Sequence, residues 1–109
     1  MERSNEKCHK IMWDNLHLTG NKYKISTKHR FTEDEWRKAE GNNLCFACAE
    51  FKDCKNDRYC PINWVESDMA NCLDERSPFY KWLHAKSIEE RKKWAGVIAE
   101  MKWEVRGGN

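Results

Sequence analysis

Residues 45–72 read CFACAEFKDCKNDRYCPINWVESDMANC, and five of the six cysteines of this 109-residue chain fall inside that stretch: Cys45, Cys48, Cys54, Cys60 and Cys72. A chain of this length has room for one modest core, and a metal can supply stability that such a core lacks. Zinc takes four thiolates on a tetrahedron about 2.3 Å from the ion, and a two-residue spacer lets one tight turn present two of them. Cys45-Phe46-Ala47-Cys48 meets that demand. Cys54, Cys60 and Cys72 then compete for the two remaining places. Cys60 precedes Pro61, which stiffens the backbone beside a ligand, and Cys72 ties in the C-terminal part of the chain. The expected set is Cys45, Cys48, Cys60 and Cys72, with Cys54 as the alternate. Four thiolates saturate zinc and leave no position for water, so the reading is a structural Zn²⁺ and no enzyme.

The competing reading of six cysteines is a three-disulfide secreted framework. Against it, the first twenty residues are polar and hold no apolar export segment, and no run approaches the roughly 20 apolar residues of a membrane span. The expectation is a soluble cytoplasmic protein with reduced thiols. Charge excludes little: 20 basic residues stand against 18 acidic ones. The segment 45–77 is acidic, which argues against the cysteine loop itself gripping a phosphate backbone. A mean hydropathy of −1.01 coexists with six tryptophans, so burial is concentrated in a few large side chains.

Outward from the cysteines, the pattern is helical, and a single domain spans 1–109. In the N-terminal part, 4–40, Ser4 is an N-cap, and Cys8, Ile11, Met12 and Leu16 share one face of a helix that Gly20-Asn21 ends. Residues 21–30 carry no helical stripe and read as loop or a short extended piece. Thr32 and Glu35 form a capping box for 33–40, with Phe31 and Trp36 at the staple positions and Gly41 as the stop. The metal loop occupies 44–76. In the C-terminal part, 77–106, Ser77-Pro78 opens one helix. Ser87 and Glu90 box the next, whose stripe is Trp94, Ile98, Met101 and Val105. The fold class is mainly α, a small helical domain organised around a four-cysteine, zinc-knuckle-like loop.

His9, His17, His29 and His84 are far from the knuckle in sequence or adjacent to other work, and read as surface or capping residues. Cys8 reads as a small buried apolar side chain. Six tryptophans exceed what one small core easily encloses. Trp64, in the cysteine loop, and Trp103, off the main stripe, are the candidate anchors for a partner protein. Lys22, Lys24, Lys28 and Arg30 form a basic segment that could follow phosphates, the alternative of a small nucleic-acid-binding zinc protein. No Gly-rich phosphate loop and no HExxH is present.

The series Cys45-x2-Cys48, Cys60-Pro61-Ile62, Cys72 and Ser77-Pro78-Phe79-Tyr80-Lys81-Trp82 resembles small cysteine-rich proteins of phages and prophages of Gram-positive bacteria. Cys8 with Trp13, Glu35-Trp36 and the charged helix from Ser87 to Trp103 extend the resemblance over nearly the whole chain. It departs at Asp57, where relatives carry a second CxxC before the proline. The resemblance implies a setting in the cytoplasm of a bacterial host cell. In that setting small accessory proteins bind host or phage proteins, among them defence nucleases such as CRISPR effectors.

Overall fold

Ser4 accepts a hydrogen bond from the Lys7 amide and starts α1, Asn5–Thr19. The computed structural model describes residues 3–41, 44–47 and 75–103, and these are mainly helical. A 3₁₀ helix, Lys24–Arg30, follows, then α2, Glu33–Glu40, α3, Pro78–Leu83, and α4, Ile88–Glu100. No helix among the described residues is long and apolar enough to cross a membrane.

The local start signals act as the sequence predicts. Thr32 and Glu35 form both halves of the capping box, and the stapled Phe31 and Trp36 rings stack at 5.9 Å. Ser77 caps α3 ahead of Pro78, and Ser87 accepts from the Glu90 amide at the start of α4. The segment expected as loop or extended chain is instead the 3₁₀ helix. Its stabilisers are local side-chain bonds that carry no periodic signature: Ser26 Oγ donates to the Tyr23 carbonyl and Thr27 Oγ1 to that of Lys24, each at 2.7 Å. Short i→i+3 turns of this kind need no apolar stripe.

The core is the seam between α1 and α4, closed by α3. Cys8, His9, Met12, Trp13 and Leu16 of α1 are buried, and they meet Ala95, Ile98 and Ala99 of α4. Of the stripe expected for the last helix, Ile98 is fully buried as read, and Val105 lies outside the described residues. Small alanines, not Trp94 or Met101, make the close approach, and both larger residues sit half-buried at its edge. The helix also stops at Glu100, because Met101 turns extended with ψ 139°. Trp13 and Trp82 meet edge-to-face at 4.9 Å, the quadrupole-favoured geometry for two indoles.

Three polar tethers reinforce the seam. His17 Nδ1 donates to the Lys92 carbonyl at 2.7 Å, Arg91 Nε to that of Gly20 at 2.8 Å, and Lys10 Nζ to that of Ala99 at 3.4 Å. The last places a cation at the negative end of α4. Gly20 caps α1 with φ 69°, and a β-carbon there would run into the Ile88 side chain. Gly20→Ala therefore meets two penalties at once, left-handed backbone and a steric collision. The expected loss is about 2 kcal/mol, read as a lower urea midpoint with an unchanged slope.

α2 buries Trp36 and Ala39 together with one charged residue. Glu35 is 1 % exposed and accepts four bonds. They come from the Arg3 amide at 2.7 Å, from Arg3 Nε and a terminal guanidinium nitrogen at 2.9 Å each, and from the Thr32 amide at 2.8 Å. The same guanidinium donates to the Arg30 carbonyl at 2.7 Å, so a single side chain joins the N-terminus, the 3₁₀ helix and α2.

Candidate metal centre

Cys45, the first cysteine of the CxxC, is placed by the exit from α2. Gly41 caps that helix in the right-handed region, with φ −69°, so its conformational freedom is not used. The left-handed residue comes three positions later, where Leu44 has φ 57° and its amide donates to the Ala39 carbonyl at 2.6 Å. A branched side chain in that region is held only where its surroundings enforce it. The enforcement comes from the spacer: Phe46 and Ala47 are buried, and Phe46 packs on Phe31 at 5.0 Å between ring centres. Cys45 is left half-buried beside the core. Neither Cys45 nor Cys8 is in a disulfide. A thiol on a turn anchored from both sides fits a zinc ligand, whose position must survive loss of its proton.

Cys48, Cys54, Cys60, Cys72 and Trp64 lie outside the described residues. Among the described residues, no three His, Cys, Asp or Glu side chains come together as a metal cluster.

His9 departs from the expectation of a surface or capping histidine. It is 5 % exposed and lies between the rings of Trp13, at 6.4 Å, and Trp103, at 5.5 Å. Burial pushes its pKa down to about 4, against the opposing pull of Cys45 and with a further push from Lys24, so the ring is neutral at physiological pH. The backbone carbonyl of Ile98 acts on the ring as a hydrogen-bond acceptor, while the buried Nε2 has no partner. A sequence signal existed: His9 precedes Met12, Trp13 and Leu16 by three, four and seven residues, on the apolar face of α1. The other three histidines are exposed. His17 tethers α4, and His84 ends α3.

Cys8 is 1 % exposed. Burial first, then Glu35, pushes its thiol up to about 11. That is an inert side chain.

The basic segment does not present its charges on one face. Lys24 Nζ lies 4.6 Å from the centre of the Phe79 ring and 5.6 Å from that of Trp13, turned toward the core. Lys22 covers its neighbour Tyr23 at 5.2 Å. Lys28 borders a groove with Ile25, Phe31, Trp36 and Arg37, and Arg30 is exposed, its carbonyl taken by Arg3. Trp103 is half-buried against the core and His9. Among the described residues, the most exposed large apolar side chains are Leu18, Ile25, Tyr23 and Ile88, at 72, 61, 58 and 54 %. Tyr23 and Ile88 share one shallow groove with Gly20 and Arg91.

No protein family, curated protein or solved structure matches the chain.

Proposed function

We propose that this chain is a non-enzymatic, zinc-stabilised module that binds another protein. Cys45, Cys48, Cys60 and Cys72 are its structural ligand set, and Cys54 is the alternate. The observation that carries the reading is the anchored turn at 44–47. It commits the first half of the CxxC to the helical core, so that a metal held there ties the cysteine loop to α2 and to the α1–α4 seam. Such a metal stabilises a fold; it needs no open coordination position.

The resemblance to phage and prophage proteins supplies the setting, an inhibitor of a bacterial defence protein such as a CRISPR effector, acting in the host cytoplasm. The exposed Tyr23 and Ile88 support a protein partner, because apolar and aromatic side chains make the desolvated centres of such interfaces. The alternative, nucleic-acid binding through Lys22, Lys24, Lys28 and Arg30, is weakened by Lys24, which is spent on the Phe79 and Trp13 rings.

The test is affinity capture of the zinc-loaded protein from bacterial lysate, followed by gel filtration and native mass spectrometry. One zinc per chain and one stoichiometric protein partner, retained at high salt, are expected. A nuclease-sensitive complex that dissolves steeply with salt would move the assignment to the nucleic-acid alternative.

A further inference from the structure

We infer that the groove between the end of α1 and the start of α4 seats an acidic segment of another protein. A carboxylate of that segment pairs with Arg91, and an apolar side chain beside it packs on Tyr23 and Ile88. This deepens the protein-binding reading above and rests on it. Exposure and charge coincide in the groove. Tyr23 and Ile88 are 58 and 54 % exposed, and the charged residues that line it with them, Lys22 and Arg91, are both cations. Glu89 and Glu90 follow Ile88 in sequence but do not line it. The groove beside Ile25 and Trp36 lacks this imbalance. Glu33 and Glu40 line it, and its Arg37 is already paired with Glu33 at 3.0 Å and approached by Asp34 at 3.9 Å.

Arg91 is positioned before any ligand arrives. Its Nε donates to the Gly20 carbonyl at 2.8 Å, which fixes the guanidinium, and it makes no ion pair among the described residues. That leaves the two terminal nitrogens for a ligand, and a planar guanidinium matches a carboxylate with two parallel bonds. The apolar side is held as well. The Tyr23 amide donates to Asn21 Oδ1 at 2.8 Å, and Lys22 Nζ lies 5.2 Å from the centre of the Tyr23 ring. Gly20 lets Ile88 come so near that a β-carbon there would collide with it.

A seat set in advance loses little side-chain and loop freedom on association. A carboxylate answers the uncompensated charge, and an apolar neighbour answers the exposed ring and Ile88. A phosphate backbone answers only the charge, and two cations are a small electrostatic footprint for one. The occupant is therefore a protein segment.

Random dodecapeptides displayed on phage, selected on the immobilised full chain, test this. Enriched sequences are expected to carry Asp or Glu beside a large apolar residue. A synthetic peptide of the enriched sequence should lose about tenfold or more in affinity on Arg91→Gln, as for a charge-assisted bond. Because Arg91 also tethers Gly20, two exposed positions keep the test separate from folding. Tyr23→Ala should weaken the same peptide about tenfold, and Lys22→Glu should weaken it too, each with unchanged circular dichroism. Enriched peptides without acidic residues, no enrichment, or affinity indifferent to all three substitutions would each overturn the seat. Binding of single-stranded oligothymidylate that these substitutions abolish, with no peptide enriched, would overturn it in favour of nucleic acid. A lysate partner still retained by Tyr23→Ala and Arg91→Gln would overturn the seat alone and leave the protein-binding reading standing.

Discussion

Excess chelator is expected to strip the native tryptophan circular dichroism and much of the helical signal from the zinc-loaded protein, and Cys45→Ser to do the same without chelator. The reason is a comparison of magnitudes. Structural zinc contributes about 10–16 kcal/mol in small folded peptides at neutral pH, whereas the net stability of a whole domain is about 5–15 kcal/mol. Loss of the first term consumes the second. The α1–α4 seam is real but narrow: its α4 side consists of two alanines and one isoleucine, which bury little apolar area per turn of helix. Without the metal, the left-handed Leu44 would be held only by the burial of Phe46 and Ala47. Ser at position 45 keeps the size of the side chain and removes the thiolate, so a collapse there reports coordination rather than packing. Unchanged spectra in excess chelator would mean that the helical core stands without metal.

The second large effect belongs to the opposite end of the fold. Arg3→Ala is expected to lower stability by about 3 kcal/mol at neutral pH, at the low end of the range for breaking a buried charge pair, because Arg3 itself is 39 % exposed. The asymmetry between the partners makes the prediction specific. Removing Arg3 strands a carboxylate that is 1 % exposed with only two amide donors. Glu35→Gln instead leaves a guanidinium that can turn to water, and should cost less.

The pH dependence follows from the same contacts. The Arg3 guanidinium foremost, helped by the Thr32 and Arg3 amides, holds the Glu35 carboxyl well below its usual value of 4.5, against the opposing effect of burial. A group depressed in the folded state contributes its stability above the unfolded pKa and loses it as pH falls toward the folded one. The gap between wild type and Arg3→Ala should therefore be widest above about pH 5 and close in acid. Urea midpoints at a series of pH values check both the size and the sign; a gap that stayed constant into acid would show that Arg3 acts through packing alone.

These two predictions draw on different layers of the chain, and they separate what was legible from what was not. Ser4, Thr32 with Glu35, Ser77-Pro78 and Ser87 set the helix starts, and Phe31 with Trp36 sets the staple, because each acts within a few residues of backbone. Their partners are neighbours in sequence, so spacing alone identifies them. Spacing alone also marks Cys45 and Cys48 as a candidate ligand turn, of which only Cys45 lies among the described residues. The 3₁₀ helix at Lys24–Arg30 escaped this reading because its side-chain bonds to backbone have no period. The end of α4 at Glu100 escaped it because an apolar stripe continues past the point where the backbone turns.

The tertiary structure alone decided the rest. Glu35 has a local role in its capping box, yet its buried partner Arg3 lies 32 residues away, a separation that no spacing rule encodes. Lys24 looked like one of four equivalent cations until the rings of Trp13 and Phe79 drew it inward. Ala95 and Ala99 join Ile98 in the helix contact, while Trp94 and Met101 stay at its edge, because the distance between two helix axes is set by both faces together. His9 is the clearest case. The sequence reading took it for a surface or capping residue, but the fold buries it between Trp13 and Trp103. Burial of the His9 ring needs Trp103 to pack back onto α1, and neither segment carries it alone.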